Sequence, residues 1–443
     1  MIEMSPVLIT ILMFASLFIG LFLGHPLAFI LGGVGVFFGL IGWGPQVLYM
    51  FVNRIYNQMD NYLLIAVPLF ILMAQFMEKS GAAEDLFNTM RYVFGRLRGG
   101  LAVTVVIVST LFGACTGIIG ASIVTMGMVS LPMMLKHNYD KKLSCGVIAA
   151  GGSLGILIPP SIMLIVMGQQ SQISVGKLFA AAIFPGLILS ALYIGYILIK
   201  SYFKPELAPA ISEEERGSIN RKDLAIMIFS KLLPPMFLIL GVLGSIFTGI
   251  ATATEAAGIG SSLAFLLLIV NKKFSWHILK QAAINTTKTT TMVLWVVIGA
   301  TCFTSVFIGI GGDEVVKGLI VGLGLGKWGT FIVMMLILFV MGMFIDWLGI
   351  VFLVFPIFLP IAEQVGFDRL WFVAIMAVML QDSFLTPPFG YALFYLKGIA
   401  PKEVTTGDIY RGAFPFWRLM ELGLIICCIF PETITWLPSV LIK

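Results

Sequence analysis

The sequence predicts an all-α polytopic membrane protein of about 10 spans, arranged as an inverted repeat with two re-entrant hairpins and two broken helices. Three observations carry this. Of 443 residues, 59% are hydrophobic and 11% are charged, against about 45–50% and about 25% in soluble globular domains. A chain so poor in charge cannot clothe a water-facing surface of its own size. Three prolines recur in one register in the two halves of the chain. The longest apolar segments are interrupted by Gly, Pro or polar residues at matching places.

The elements follow in chain order. Met1–Gly24 lacks a basic n-region and a small-residue cleavage site, so it is kept as an N-terminal helix, 1–24, rather than a signal peptide. Apolar runs predict spans near 5–23, 25–44, 62–77, 178–199, 225–248, 253–270, 291–310 and 412–432. Four longer segments, 99–135, 142–169, 329–361 and 370–397, carry the interruptions. The stretches 78–98 and 272–290 mix charge with apolar residues and are read as amphipathic helices at the interface. One polar linker, 200–223, holds Glu213, Glu214, Glu215, Arg216, Arg221 and Lys222. Five cysteines without metal-like spacing indicate neither disulfides nor zinc. The net charge of +5 is read through the positive-inside rule rather than as nucleic-acid affinity.

Pro132, Pro159 and Pro160 return as Pro360, Pro387 and Pro388, each 228 positions later. Nearly the same displacement pairs Gly81 with Gly311 and Ala28 with Ala257. Two repeats follow, 25–199 and 253–432, joined by a linker and connecting helix, 200–252, and followed by a tail, 433–443. Charge orients them. Segment 99–135 is flanked by Lys79, Arg91, Arg96, Arg98, Lys136, Lys141 and Lys142, so both its ends face the cytoplasm. Its counterpart 329–361 has Lys317, Lys327 and Arg369 set against Asp313, Glu314, Glu363 and Asp368, which places it on the opposite face. Inverted repeats with interrupted helices are the mark of secondary transporters, whose sites lie near the midplane.

The interruptions are therefore where chemistry is expected, because non-helical backbone at membrane depth survives only when buried in protein or lining a wet cavity. GACTGIIGAS, 113–122, and GMFIDWLGI, 342–350, each lie midway in a segment too short for two crossings and a turn. A hairpin of two half-helices fits, though close helix packing through small residues also accounts for such a sequence. GGSLGILIPPS, 151–161, and QDSFLTPPFG, 381–390, must break their helices at the tandem prolines. A break frees carbonyls suited to Na⁺ and a half-helix N-terminus suited to an anion. The competing reading is a kink whose carbonyls a neighbouring helix satisfies.

Asp346 at the second tip and Asp382 beside the second break are intramembrane carboxylates, either ion ligands or partners of a nearby donor. Glu255 in ATATEAAG is read as favouring a helix N-terminus, and Lys288 among five threonines as an interfacial charge. His25, His137 and His277 are scattered. No GxxxxGK[ST] loop, HExxH motif or nucleophile–base set is present, so enzymatic function has no support.

GSLGILIPPSIMLIVMG, the upstream FGACTGIIGASIVTMG, TATEAAG and QDSFLTPPFGYALFYLKGIAP resemble the large membrane (M) subunit of the tripartite ATP-independent periplasmic (TRAP) transporters, the DctM family, in its unfused type. The resemblance covers nearly the whole chain. The last segment resembles most the branch associated with 2-oxo acids, lactate and related organic anions. The family implies an ion-transporter-superfamily-like elevator fold in the bacterial inner membrane. It implies import of a small organic anion, carboxylate or sulfonate, with Na⁺ as coupling ion and no cofactor. Its partners would be a periplasmic substrate-binding protein (P-type) and a small four-helix membrane subunit (Q-type).

Carried over by position, the first Na⁺ region takes Gly113, Thr116, Gly117 and Ser122 with Gly152, Ser153, Gly155 and Ile158. The second takes Gly342, Asp346 and Gly349 with Gln381, Asp382, Ser383 and Thr386. Substrate is expected between them, near Ser161, Pro387, Pro388 and Gly390. Family members often carry a serine-rich first tip where this chain reads ACTGIIGAS, which leaves the individual ligands of the first ion site open. From the residues alone, a stand-alone Na⁺/dicarboxylate or citrate-type transporter stays an alternative, and a Gly-lined channel a more distant one.

Overall fold

Among the described residues, seven α-helices start at a side-chain cap. The side chains of Ser5, Asp140, Ser161, Ser275 and Asp368 each accept a backbone N–H of the first turn, satisfying a donor that the helix leaves unpaired. Thr252 with Glu255, and Thr405 with Asp408, form reciprocal capping boxes. Glu255 is thus a structural cap, as its place in ATATEAAG suggests. The computed structural model describes residues 5–211, 220–387 and 390–442. Glu213, Glu214, Glu215 and Arg216 of the polar linker, and Pro388, lie outside the described residues.

The first half runs α1 (Pro6–Phe22), α2 (Leu27–Trp43), α3 (Val47–Met59), α4 (Ala66–Lys79) and α5 (Ala82–Phe94). A helix pair follows, α6 (Gly100–Thr116) and α7 (Ile119–Lys136), then α8 (Lys141–Leu154), α9 (Ile162–Ser171) and α10 (Val175–Phe203). The second half runs α11 (Arg221–Phe247), α12 (Ala253–Val270), α13 (Trp276–Gly309) and α14 (Gly312–Gly322). A second pair, α15 (Gly326–Gly342) and α16 (Trp347–Gln364), leads to α17 (Arg369–Leu385), α18 (Tyr391–Ile399), α19 (Thr406–Ile429) and α20 (Glu432–Leu441). Among the described residues, nine stretches are helical, long and apolar enough to cross a membrane. This is a polytopic all-α membrane protein.

The element order repeats. α5 and α14 both start after a left-handed glycine, Gly81 at φ 74° and Gly311 at φ 78°, and both carry two acidic residues in the first turn. One difference from the sequence reading is α13. The stretch 272–290 is not a separate amphipathic helix, because α13 runs unbroken for 34 residues through it. Helical hydrogen bonding is local and does not register the change in hydropathy. The last ten or so residues, read as a tail, contain α20.

Two helices form the core. α8 is buried at every residue from Leu143 to Leu154, and α17 from Trp371 to Leu385, as expected of helices apolar all round. α8 packs on α6, α7 and α19, and α17 on α10, α15, α16 and α19. α8 meets α19 backbone to backbone, since a Cβ on Gly146 would run into the Gly412 carbonyl and one on Gly412 into that of Lys142. A second group joins α2 to α13, α4 to α12 and α13, and α11 to α12. Its outward residues, among them Phe29, Phe37, Leu240, Leu266 and Met292, are exposed and apolar, a surface suited to lipid.

Loop hydrogen bonds gather the ends of the first pair at one end of the molecule. Gly99 N–H donates to Ala208 O at 2.9 Å and Asp140 N–H to Leu207 O at 2.8 Å, and Lys141 Nζ to Glu403 O at 3.1 Å. The ends of the second pair meet elsewhere, at the far end of α9. Lys327 Nζ donates to Gly366 O at 2.7 Å and Arg369 Nη1 to Ser171 O at 3.2 Å.

Candidate ion and substrate site

The two interruptions in each half come together. α6 ends at Gly117, whose φ of 59° turns the chain and whose N–H donates to Gly113 O at 2.8 Å. Ile118 is extended, and α7 starts at Ile119. This first tip lies on the first break, 155–161, where α8 has ended and α9 has not begun. Gly113 and Gly155 touch backbone to backbone, and a Cβ on either would strike the other. A Cβ on Gly117 would lie 3.3 Å from Pro160 O and Ile162 N. Thr116 and Ser122 share a hydrogen bond of 2.8 Å across the tip, and Thr116 Oγ1 also donates to Gly113 O at 3.3 Å.

Gly152 packs on Ile123 of α7. Ser153 Oγ bonds its own helix, donating to Ala150 O at 2.9 Å. Ile158 turns away from the tip toward Gly186 of α10. Ser161 caps α9 through Leu164 N–H and donates to Ile156 O. It is fully buried and holds the break closed on itself rather than lining a cavity.

The second tip lies on the end of α17. A Cβ on Gly342 would overlap the Ser383 hydroxyl. Gln381, Asp382, Ser383 and Thr386 are 0%, 1%, 3% and 7% exposed, so all four are sealed from water. Thr386 donates to the Asp382 carbonyl. Among the described residues, both amide atoms of Gln381, Asp382 Oδ1 and Ser383 Oγ have no hydrogen-bond partner. Such groups are rare, and each costs free energy unless something pairs it. Gly349 faces Leu27 of α2 rather than the break. Gly390, at φ 35°, precedes α18, and Pro387 is exposed beside it.

A cavity of about 470 Å³ lies between the tips and the outer helix group. The first tip contributes Gly117, Ile119 and Gly120, the first break Ile156, and the second tip Asp346 and Trp347. α13 supplies Thr289 and Trp295 from the other side. Lys288, next to Thr289, is exposed, which fits an interfacial charge. Tyr391 and Tyr395 of α18 complete the wall. Sequence reasoning missed both, although tyrosines at i and i+4 directly after a helix break present one face.

Residues 14–433 match the family model for the tripartite ATP-independent periplasmic transporter, DctM component. The chain is 30% identical over 399 residues to the C4-dicarboxylate TRAP transporter large permease protein DctM of Pseudomonas aeruginosa, over 90% of this chain and 91% of that one. It is 28% identical to the sialic acid TRAP transporter permease protein SiaT of Haemophilus influenzae, over 92% of this chain and 64% of that one. Against the isethionate TRAP transporter permease protein DctMQ of Oleidesulfovibrio alaskensis, identity is 27%, over 93% and 63%. The Alcanivorax borkumensis YdaH transporter has the same fold, with a TM-score of 0.62 over 97% of this chain and all of that one, at 13% identity.

Proposed function

Because the chain belongs to the DctM family of large permease components of TRAP transporters, we propose that it is a Na⁺-coupled secondary importer of a small organic anion, such as a 2-oxo or hydroxy acid. Membership of that family makes it a transport permease rather than an enzyme. In this reading it works in the bacterial inner membrane. A periplasmic binding protein hands it the anion, and a small four-helix subunit braces it. Relatives named for C4-dicarboxylates, sialic acid and isethionate support an anionic substrate.

The observation that carries ion coupling is the set of unpartnered polar atoms at Gln381, Asp382 and Ser383. A dehydrated monovalent cation takes oxygen ligands, and a carboxylate buried in apolar protein needs a positive partner. Na⁺ between Asp382 Oδ1 and Ser383 Oγ meets both needs, with Gly342 leaving room for the approach. At the first tip, Thr116, Ser122 and main-chain carbonyls of the break supply the neutral counterpart. The anion occupies the cavity between the two Na⁺ regions, with Asp346 read as an ion ligand and not as a contact to the anion. Hairpins tied at separate ends, with a cavity between them and the outer group, support an inverted repeat. They also support an elevator in which the core moves against α2, α4 and α11–α13.

The test is uptake of labelled lactate into proteoliposomes holding this chain and its small partner subunit, under an inward Na⁺ gradient, with and without the binding protein. Uptake that requires both agrees with the proposal. Uptake with Na⁺ alone points to a stand-alone transporter. If Asp382→Ala and Thr386→Ala both left Na⁺-dependent uptake unchanged, the placement of the ion would be wrong.

A further inference from the structure

A second cavity, of about 350 Å³, lies between α3, α13 and α16. Its wall is richer in polar groups than that of the first. Arg54, Asn57 and Gln58 face it from α3, Gln170 from α9 and Ser305 from α13. The three α3 residues fall at i, i+3 and i+4, one face of one helix. Among the described residues none of these five side chains has a hydrogen-bond or ion-pair partner, and Gln58 Nε2 is shut off from solvent as well.

The one fixed charge, on Arg54, favours an anion. Thr301 and Thr304 also line the cavity, but their hydroxyl protons are spent on Val297 O at 2.7 Å and Ala300 O at 2.8 Å. Arg54, the three amides and Ser305 remain as donors, with one fixed positive charge. Met50, Phe352 and Pro356 give the cavity an apolar floor. An arginine beside amide donors over an apolar floor fits a small carboxylate with a short organic body.

Its position adds a role. Along α13 the first cavity takes Thr289 to Val296 and the second takes Thr301 to Gly309, their midpoints roughly 19 Å apart at the rise of a helix. Along α16 the first touches Trp347 and Leu348 at the tip, the second Phe352 and Pro356, nearer the end where Gly366 and Arg369 are tied. The two lie in series on one seam.

We propose that the second cavity is an outer receiving site for a small carboxylate, with Arg54 pairing with the carboxylate and the Asn57 and Gln170 amides donating to it. This rests on the transport reading above and on the flanking charges of 329–361, which put that end on the face opposite the cytoplasm.

The test has two arms on the full chain reconstituted with its partner subunit. In the first, Arg54 is modified with p-hydroxyphenylglyoxal and followed by peptide mass mapping, with Arg418 as internal reference. Lactate, 2-oxobutyrate, succinate and isethionate are compared with chloride at equal ionic strength. The expected result is saturable protection of Arg54, and not of Arg418, by at least one of the carboxylates. In the second, Arg54→Gln raises the KM of Na⁺-driven uptake of that carboxylate about tenfold with Vmax little changed, as losing a charge-assisted bond predicts. Arg54→Lys recovers part of it.

No protection beyond chloride overturns the proposal, as does protection by isethionate alone. Protection only when the binding protein is present makes Arg54 a docking contact and also overturns it. Protection with an unchanged KM removes the site from the transport path. If the wild type shows no Na⁺-driven uptake, the transport reading fails, while the labelling arm still decides whether the anion site exists.

Discussion

Ser383→Ala distinguishes an ion ligand from a packing residue by the sign of its effect. Ser383 Oγ is buried, unpartnered and pressed against Gly342. An unsatisfied buried hydroxyl costs about 1–3 kcal/mol, so in Na⁺-free buffer its removal should raise stability by up to that amount. In Na⁺ that advantage shrinks. At about a hundred times its Kd, an ion that binds only the native state stabilises it by about 2.7 kcal/mol. If losing one ligand weakens Na⁺ about tenfold, the variant gains only about 1.4 kcal/mol at the same concentration. The assay is the apparent Tm of the purified full chain in choline chloride and in NaCl. The variant should melt above wild type in choline, and its rise on adding Na⁺ should be about half as large. A variant that melts lower than wild type by the same amount in both salts would refute the reasoning, since Ser383 would then be filling space.

Gly155→Ala places a Cβ 2.7 Å from Gly113 Cα and 3.1 Å from Ser122 Oγ. The first tip and break must part, at about 1–3 kcal/mol of overpacking, and the half-saturating Na⁺ for uptake should rise. Gly195→Ala on α10 meets nothing within 4 Å and should leave Na⁺ dependence alone while stabilising by up to about 1 kcal/mol. Thr252→Ala removes the capping box of α12. It should lower stability by about 1 kcal/mol, seen as a lower Tm with uptake unchanged.

Much of the fold was legible because its signals are local. Tandem prolines disfavour helix, and the breaks at 155–161 and after Leu385 were readable at Pro159 and Pro387 because these recur in one register, whereas Pro234 and Pro235 stay inside α11. Gly81 and Gly311 mark equivalent helix starts because left-handed backbone favours glycine. Asp382 stood out as a charge in an apolar segment. The facing of neighbours was not legible. Ile158, Gly349 and Ser161 sit in the right segments, yet they pack on α10, pack on Leu27 and cap α9 respectively. Side-chain direction depends on helices distant in sequence.

By itself, then, the sequence determined that this chain lives in a membrane and where several of its helices start and stop. Hydropathy, proline and glycine act through the backbone of the residues that carry them. Only the tertiary structure decided that Gln381, Asp382 and Ser383 are sealed without partners, that Tyr391 and Tyr395 join Asp346 around one cavity, and that Arg54 shares another with Gln170 and Ser305. Whether a polar atom is paired depends on what distant helices bring to it, and no single segment encodes that.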